Sequence, residues 1–124
     1  MTHDQPPLCP AHREALELAR HLTTTTTWTP ADAADVTARF AASAELEAHF
    51  QDEEANVVPD LQAHGAAELA TRVLAEHAQM RALAARAEDH TAARALGELL
   101  AAHVEFEEAS VFPTCERAEE EEDE

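Results

Sequence analysis

The chain has 124 residues, a length that suits one domain with its own hydrophobic core. Its 26 acidic residues outnumber 8 basic ones and give a net charge of −18, which repels phosphate backbones and anionic lipids. We therefore expect neither a nucleic-acid nor a membrane partner. No apolar run approaches the roughly 20 residues of a membrane span. The opening MTHDQPP lacks the segments of a signal peptide, so a cytoplasmic location is predicted.

An alanine- and leucine-rich composition with only two glycines predicts an all-α chain, because few hairpin turns are available. Residues 1–9 are predicted to form an N-terminal arm. The first helix is expected to begin at Pro10, since proline suits the first turn of a helix. It should end at the threonines of residues 23–27, whose β-branched side chains disfavour its continuation.

The second predicted helix begins in the stretch TPAD, with Thr29 as its N-cap. It is expected to run to about Val57, because Pro59 disfavours a helical residue before it. Gly65 marks a connection, after which residues 66–89 show apolar positions at helical spacing. This segment is the third predicted helix.

The fourth helix is predicted from about Thr91 to Pro113, with Gly97 inside it at a cost of about 1 kcal/mol relative to alanine. Short links between four helices favour an antiparallel up-down-up-down bundle over residues 10–113. Residues 114–124 are mostly acidic and have no apolar face to bury. We predict that they form a disordered, solubilising tail.

The two cysteines, Cys9 and Cys115, are too few for a disulfide framework and lack CxxC spacing. We expect thiols in a reducing compartment. Both would lie at the same end of the predicted bundle, so a redox-dependent bridge depends on their separation, which the sequence does not give.

Two eleven-residue segments, HFQDEEANVVP from His49 and HVEFEEASVFP from His103, are identical at six positions. Each places a glutamate four residues after its histidine, Glu53 and Glu107, so the two side chains lie one helical turn apart on the same face. The second glutamate of each pair is one position further round the helix. These second glutamates are Glu54 and Glu108. The sequence leaves three roles open for them, which are an outer hydrogen-bond acceptor, an alternative ligand and a solvated side chain.

Each predicted helix also directs one histidine to the interior, at helical spacing with apolar residues: His12, His49, His77 and His103. A single inward histidine is more often a hydrogen-bonded core residue than a ligand. Four of them together with inward carboxylates carry a desolvation cost that metal ions relieve. Two ions bridged by two carboxylates use all six side chains. This imidazole and carboxylate set favours iron or manganese, with zinc as a further alternative.

The order of a lone histidine, HxxxE, a third-helix histidine and a final HxxxE, with its EExxxxP endings, resembles the hemerythrin-like, or HHE cation-binding, family. Ferritin-like bundles carry Glu-x-x-His instead. The resemblance covers residues 12–113 and implies a four-helix bundle holding a non-haem di-iron centre that meets dioxygen, peroxide or nitric oxide. It also implies six ligands, with the two glutamates as bridges: His12, His49, Glu53, His77, His103 and Glu107.

The oxygen-carrying members of the family look like HxxxH on the third helix, and this chain departs from that pattern at one position. This chain reads HAQMR, and Arg81 cannot ligate a metal because it stays protonated. Two histidines per ion favour activation of an oxidant over reversible oxygen binding. Arg81 is then predicted to be a catalytic residue that donates hydrogen bonds to peroxide or to a bridging carboxylate. The alternative is an ion pair with Glu76 or Glu88.

We favour an oxidoreductase that removes peroxide or oxidises a small molecule, with an unidentified electron donor. Its substrate pocket would use residues such as Trp28, Phe40, Met80 and Phe106, whose alternative role is ordinary core packing. The second function is non-enzymatic binding of oxygen, nitric oxide or iron, as a carrier or sensor. A metal-free structural bundle would leave the inward histidines and glutamates unexplained.

Overall fold

The computed structural model describes residues 9–115, and all regular structure in this range is helical, which confirms the predicted class. Its elements are α1 (Pro10–Thr24), α2 (Pro30–Arg39), α3 (Glu45–Asp52), π1 (Glu53–Val57), α4 (Val58–Ala63), α5 (Ala67–Ala84), α6 (His90–Phe106) and π2 (Glu107–Val111). The elements α3, π1 and α4 form one continuous helix. Together with α1, α5 and α6 it forms an antiparallel four-helix bundle, on which α2 packs as a shorter fifth helix.

Local capping signals fix where several helices begin. Pro10 occupies the first turn of α1, as predicted. Thr29 and Asp32 form a reciprocal capping box at α2: the Asp32 N–H donates to the threonine hydroxyl (3.2 Å) and the Thr29 N–H donates to the carboxylate (3.0 Å). At α6 the carboxylate of Asp89 accepts from the N–H of Thr91 (2.9 Å), so this helix begins within one residue of the predicted position.

The prediction of one continuous second helix is wrong, because the chain turns between α2 and α3. Phe40 follows α2 and packs on Phe50, with ring centroids 6.0 Å apart, while Val36 is fully buried. Burying these side chains on the same core requires a change of direction after Arg39. Tertiary packing here overrides the high helix propensity of the alanine-rich link.

The prediction that Pro59 ends the second helix is also wrong. In π1 the N–H of Val58 donates to the carbonyl of Glu53, five residues back, which widens the turn before the proline. In a regular α-helix the proline ring would clash with the carbonyl four residues earlier. The wider turn relieves that contact, and the helix continues to Ala63.

The second copy of the repeated segment forms the same local structure. In π2 the N–H of Phe112 donates to the carbonyl of Glu107, again five residues back and just before a proline, Pro113. The helix then continues through Cys115. The eleven-residue repeat therefore encodes a repeated π turn. Residues 116–124, where most of the predicted tail falls, and residues 1–8 of the predicted arm lie outside the described residues.

Gly97 allows α1 and α6 to approach each other closely. A Cβ at this position would lie 2.9 Å from the Cβ of Leu22 and 2.9 Å from Cγ2 of Thr23, closer than real side-chain contacts. Only glycine fits without a shift, and the apolar contacts that follow offset its low helix propensity. Gly65, at φ 79°, supplies the left-handed turn between α4 and α5.

The buried apolar residues form two clusters. One contains Phe50, Met80 and Val104, and the other contains Val58 and Val111. Along α3–α4, α5 and α6–π2, each helix passes from one cluster to the other through a polar layer. That layer holds the inward histidines and glutamates, so the two clusters fix the helices on either side of it.

The two cysteines are not joined: no disulfide links Cys9 to Cys115, and both side chains are half-buried.

Within residues 9–115, no helix has the length and apolar character needed to cross a membrane.

Candidate metal centre

The polar layer brings together all six side chains predicted as ligands: His12, His49, Glu53, His77, His103 and Glu107. Five of them are no more than 2% exposed, and only the side chain of His49, at 20%, reaches solvent. They form two overlapping groups, each with its candidate ligand atoms within 4.8 Å of one another. We call the group with His12 and His49 the outer half and the group with His77 and His103 the inner half. Glu53 and Glu107 belong to both halves.

Each shared glutamate divides its two oxygens between the halves. Oε2 of Glu53 lies 3.2 Å from Nε2 of His49 in the outer half, and Oε1 lies 3.0 Å from Nε2 of His77 in the inner half. Glu107 does the same, with Oε1 3.0 Å from Nε2 of His12 and Oε2 3.3 Å from Nε2 of His103. This is the arrangement expected of two bridging carboxylates.

Four of these buried atoms have no hydrogen-bond partner: Nε2 of His49, Nε2 of His103, Oε2 of Glu53 and Oε2 of Glu107. They face each other in pairs at 3.2 and 3.3 Å without hydrogen-bond geometry. Two ligands of one ion, with bonds of about 2.1 Å at right angles, are about 3.0 Å apart. The observed spacing therefore fits a metal ion in each half. Such an ion would also give these buried polar atoms the partners that they lack.

Three histidines present their outer nitrogen to a carboxylate. Nδ1 of His12 lies 2.9 Å from Glu108 Oε2 and Nδ1 of His77 lies 2.8 Å from Glu54 Oε2. An ionised carboxylate only accepts, so each Nδ1 donates, and a neutral ring then presents its bare Nε2 to the interior. Of the roles left open by the sequence, Glu54 and Glu108 thus occupy the outer-acceptor position.

The third outer carboxylate, Glu76, was not singled out as part of the site from the sequence. Its Oε1 lies 2.6 Å from Nδ1 of His103, and its Oε2 accepts from Nε of Arg72 at 2.8 Å. The sequence carries a partial signal, because arginine and glutamate four residues apart on a helix form an ion pair. Contact with a histidine of another helix depends on the packing of α5 against α6.

Arg81 contacts two glutamates on the second helix of the bundle. Its Nε donates to Glu47 Oε1 (2.8 Å), its Nη2 donates to Glu47 Oε2 (2.8 Å), and its Nη1 donates to Glu54 Oε2 (2.7 Å). These partners replace Glu76 and Glu88, the ones considered from the sequence. Since Glu54 also binds Nδ1 of His77, Arg81 is linked to the inner half through one carboxylate. A direct contact of Arg81 with peroxide stays a prediction.

Charge pairing sets the protonation of the layer. Burial lowers the pKa of His12, but hydrogen bonds and charge from Glu107 and Glu108 outweigh it, so the net pKa is raised. Burial also lowers the pKa of His103, but the nearby charge of Glu107 and the hydrogen bond to Glu76 outweigh it, so this pKa too is raised. Burial raises the pKa of Glu53, but the close contact with His49 and the hydrogen bond with His77 hold it well below its usual range. In the metal-free protein His12 and His103 therefore hold a proton more readily than a free imidazole does, and a metal ion must displace it.

Aromatic rings cover the outer faces of two histidines. Phe50 stacks on His77 with centroids 4.3 Å apart, and Phe112 stacks on His12 at 5.4 Å. Of the four residues considered for a substrate pocket, Met80 and Phe106 are buried in the two apolar clusters, and Trp28 and Phe40 are partly buried against one of them. Phe40 also lines a pocket with Glu47 and Arg81, so a substrate pocket stays a prediction.

Comparison with known proteins identifies the family. The family model of the hemerythrin HHE cation-binding domain matches residues 10–115, which is most of the chain. Neither curated proteins nor solved structures gave a significant match. The match spans all six clustered side chains and both π turns. On this evidence the chain belongs to the hemerythrin HHE cation-binding family, and its histidine and glutamate clusters are able to hold metal.

Proposed function

We propose that this domain binds two iron ions and acts as an oxidoreductase on peroxide or dioxygen. The observation that supports the proposal is the duplicated donor set: each half offers two imidazole nitrogens and one oxygen from each of two shared glutamates. Iron and manganese commonly take more than four ligands, so four donors in each half would leave room for exchangeable ligands. Iron is the metal that the family resemblance implies, and manganese and zinc are the alternatives.

The protein's own residues orient the ligands and limit access. The outer carboxylates hold Nδ1 of His12, His77 and His103, which keeps each Nε2 directed at the bridging glutamates. Phe50 and Phe112 cover histidine rings and exclude water from that side. His49 alone is partly exposed, so a small molecule reaches the centre most directly through the outer half.

Held by His12, His49, Glu53, His77, His103 and Glu107, two iron ions would supply reversible two-electron redox chemistry, which balances the reduction of one H₂O₂ to two water molecules against the oxidation of a second H₂O₂ to O₂. Peroxide removal therefore needs no other reductant. Reduction of dioxygen requires an electron donor, which we expect to be a separate molecule.

The test is anaerobic reconstitution with ferrous iron, followed by elemental analysis and an oxygen electrode. We expect two irons per chain, with oxygen evolved from added H₂O₂ or oxygen consumed over many cycles. Glu53→Ala serves as the matched variant, because it removes one oxygen donor from each half. It should lose both iron and turnover.

Two other outcomes would overturn the proposal in different ways. Two irons with an oxygen or nitric oxide adduct that forms and releases without turnover would make the protein a carrier or sensor. A chain that binds no iron, and whose melting temperature does not change when iron is added, would be a structural bundle.

A further inference from the structure

Cys9 lies at the edge of the outer half. Its Sγ and ring nitrogens of His12 and His49 lie within 4.8 Å of one another, so these three residues form a third group able to hold a metal ion. Cys9 is the N-cap residue of α1, yet its side chain makes no capping hydrogen bond. Serine, threonine, aspartate and asparagine are preferred at this position. The thiol therefore lies at the N-cap of α1 but does not cap this helix with a hydrogen bond.

The surroundings of Cys9 contain a buried donor atom that lacks a partner. Nε2 of His49 has no hydrogen bond. His49 and His12 belong both to the cysteine group and to the outer half. The same imidazoles thus serve two overlapping groups, one with two carboxylates and one with a thiol.

A pocket of about 360 Å³ opens beside these residues. Its lining includes Cys9, His49, Ala48 and Asp52. Cys9 is half-buried, and it lines this pocket together with His49 of the outer half. A thiolate at this point lies beside the two imidazoles of the outer half, whereas Glu53 and Glu107 join those imidazoles in a separate group.

We infer that Cys9 supplies a thiolate ligand to the metal ion of the outer half, an inference that rests on the proposed function. On binding, the Cys9 thiol loses its proton to solvent and Sγ forms the bond to the metal; no electron is transferred. Sulfur is a softer donor than imidazole or carboxylate, so the outer ion differs electronically from the inner one. One of the exchangeable positions of the outer half is then filled by the protein.

The test uses Co²⁺ as the probe, because a cobalt–thiolate bond gives a charge-transfer absorption in the near ultraviolet that imidazole and carboxylate ligands do not give. The full chain, reduced with a phosphine and kept under argon, is titrated with Co²⁺. Cys9→Ser removes the sulfur and keeps a good N-cap residue. Cys115→Ser is the matched control, since it removes the other cysteine of the chain.

We expect the sulfur band in the unmodified protein and in Cys115→Ser, and its loss in Cys9→Ser with two Co²⁺ still bound. Bound Co²⁺ should also protect Cys9, but not Cys115, from alkylation. A band that survives in Cys9→Ser, or two bound Co²⁺ without any sulfur band, would overturn this inference and leave the metal centre standing. Failure to bind Co²⁺ at all would overturn the metal centre as well.

Discussion

The two halves of the candidate metal centre have matching donor sets but different surroundings. In the inner half, His77 and His103 are buried, and each binds an outer carboxylate that is itself paired with an arginine. In the outer half, His49 is 20% exposed. Glu108, the outer carboxylate of His12, is 36% exposed, and the described residues give it no arginine partner. Both halves thus offer two histidines and the two shared glutamates, but they differ in the carboxylates and arginines that contact the histidines from outside.

The sequence shows where the duplication fails. The residue before His77 is Glu76, which binds His103, whereas the residue before His12 is Ala11. Four residues after His77 stands Arg81, and four residues after His12 stands Leu16. The helices α3–α4 and α6 carry the repeated segments, so the asymmetry arises from α1 and α5. As far as the outer carboxylates and their arginines decide it, we expect the inner half to hold an ion more firmly, whereas a Cys9 thiolate would strengthen the outer half.

The largest effect is expected from a change that affects both halves at once. Glu107→Ala removes one oxygen donor from each half. We expect the affinity for both ions to fall more than about 100-fold, since the loss of outer partners alone typically costs 10–100-fold. Elemental analysis after gel filtration measures the bound metal. Glu105→Ala, an exposed glutamate two residues earlier, should retain two ions. Loss of only one ion in Glu107→Ala would show that this glutamate does not bridge.

The outer carboxylates test the difference between the halves directly. Glu76→Gln replaces the charged acceptor of His103 with a neutral amide, and we expect it to lower one of two stepwise metal affinities by about 10–100-fold. Glu108→Gln should lower the other by about 10-fold or less, because this carboxylate is more exposed and has weaker support. Competition with a chelator during a Co²⁺ titration measures both steps. Equal losses in the two variants would contradict the asymmetry.

Arg81 is expected to support the inner half through the stability of the fold. Arg81→Gln leaves Glu47, which is 8% exposed, without its cation, and should destabilise the metal-free protein by about 1–3 kcal/mol. Arg86→Gln, which breaks an exposed pair with Asp89, should change stability by no more than about 0.5 kcal/mol. Urea unfolding measures both variants. If Arg81→Gln kept its stability but lost turnover, this result would instead support the direct catalytic role predicted from the sequence.

Local and periodic signals made much of the fold and site predictable. The capping box at Thr29 lies within four residues, and the spacing of His49 to Glu53 and of His103 to Glu107 is one helical turn. Such patterns depend on helix geometry alone. They were sufficient to identify the helical class and the six clustered side chains.

The remaining features depend on contacts between helices, which one sequence does not give. The turn at Phe40 follows from its packing on Phe50, and Glu76 reaches His103 only because α5 lies against α6. The helix continues past Pro59 because a π turn precedes that proline, although proline usually ends a helix. The repeated segment before Pro113 was visible in the sequence, but the π turn that this segment forms was not.

The smallest predicted effect is a pH dependence in which the metal-free and metal-loaded proteins diverge. His12 and His103 have pKa values raised above the ordinary 6.5, so their stabilising charge is fully present below pH 6.5 and is lost as the pH rises through the raised values. Glu53, with its lowered pKa, stays ionised throughout this range. The melting temperature of the metal-free protein should therefore fall as the pH rises above 6.5 through the raised pKa values of the two histidines.

The metal-loaded protein should show the opposite trend, because fewer protons then compete for Nε2 of each histidine. Thermal melts with and without Co²⁺ across this range measure the difference, and the stabilisation by metal should grow with pH. His12 belongs to the outer half and His103 to the inner half, so both binding steps should share this dependence. If only one step changed with pH, the competing proton would belong to that half alone, and the two halves would differ in protonation as well as in support.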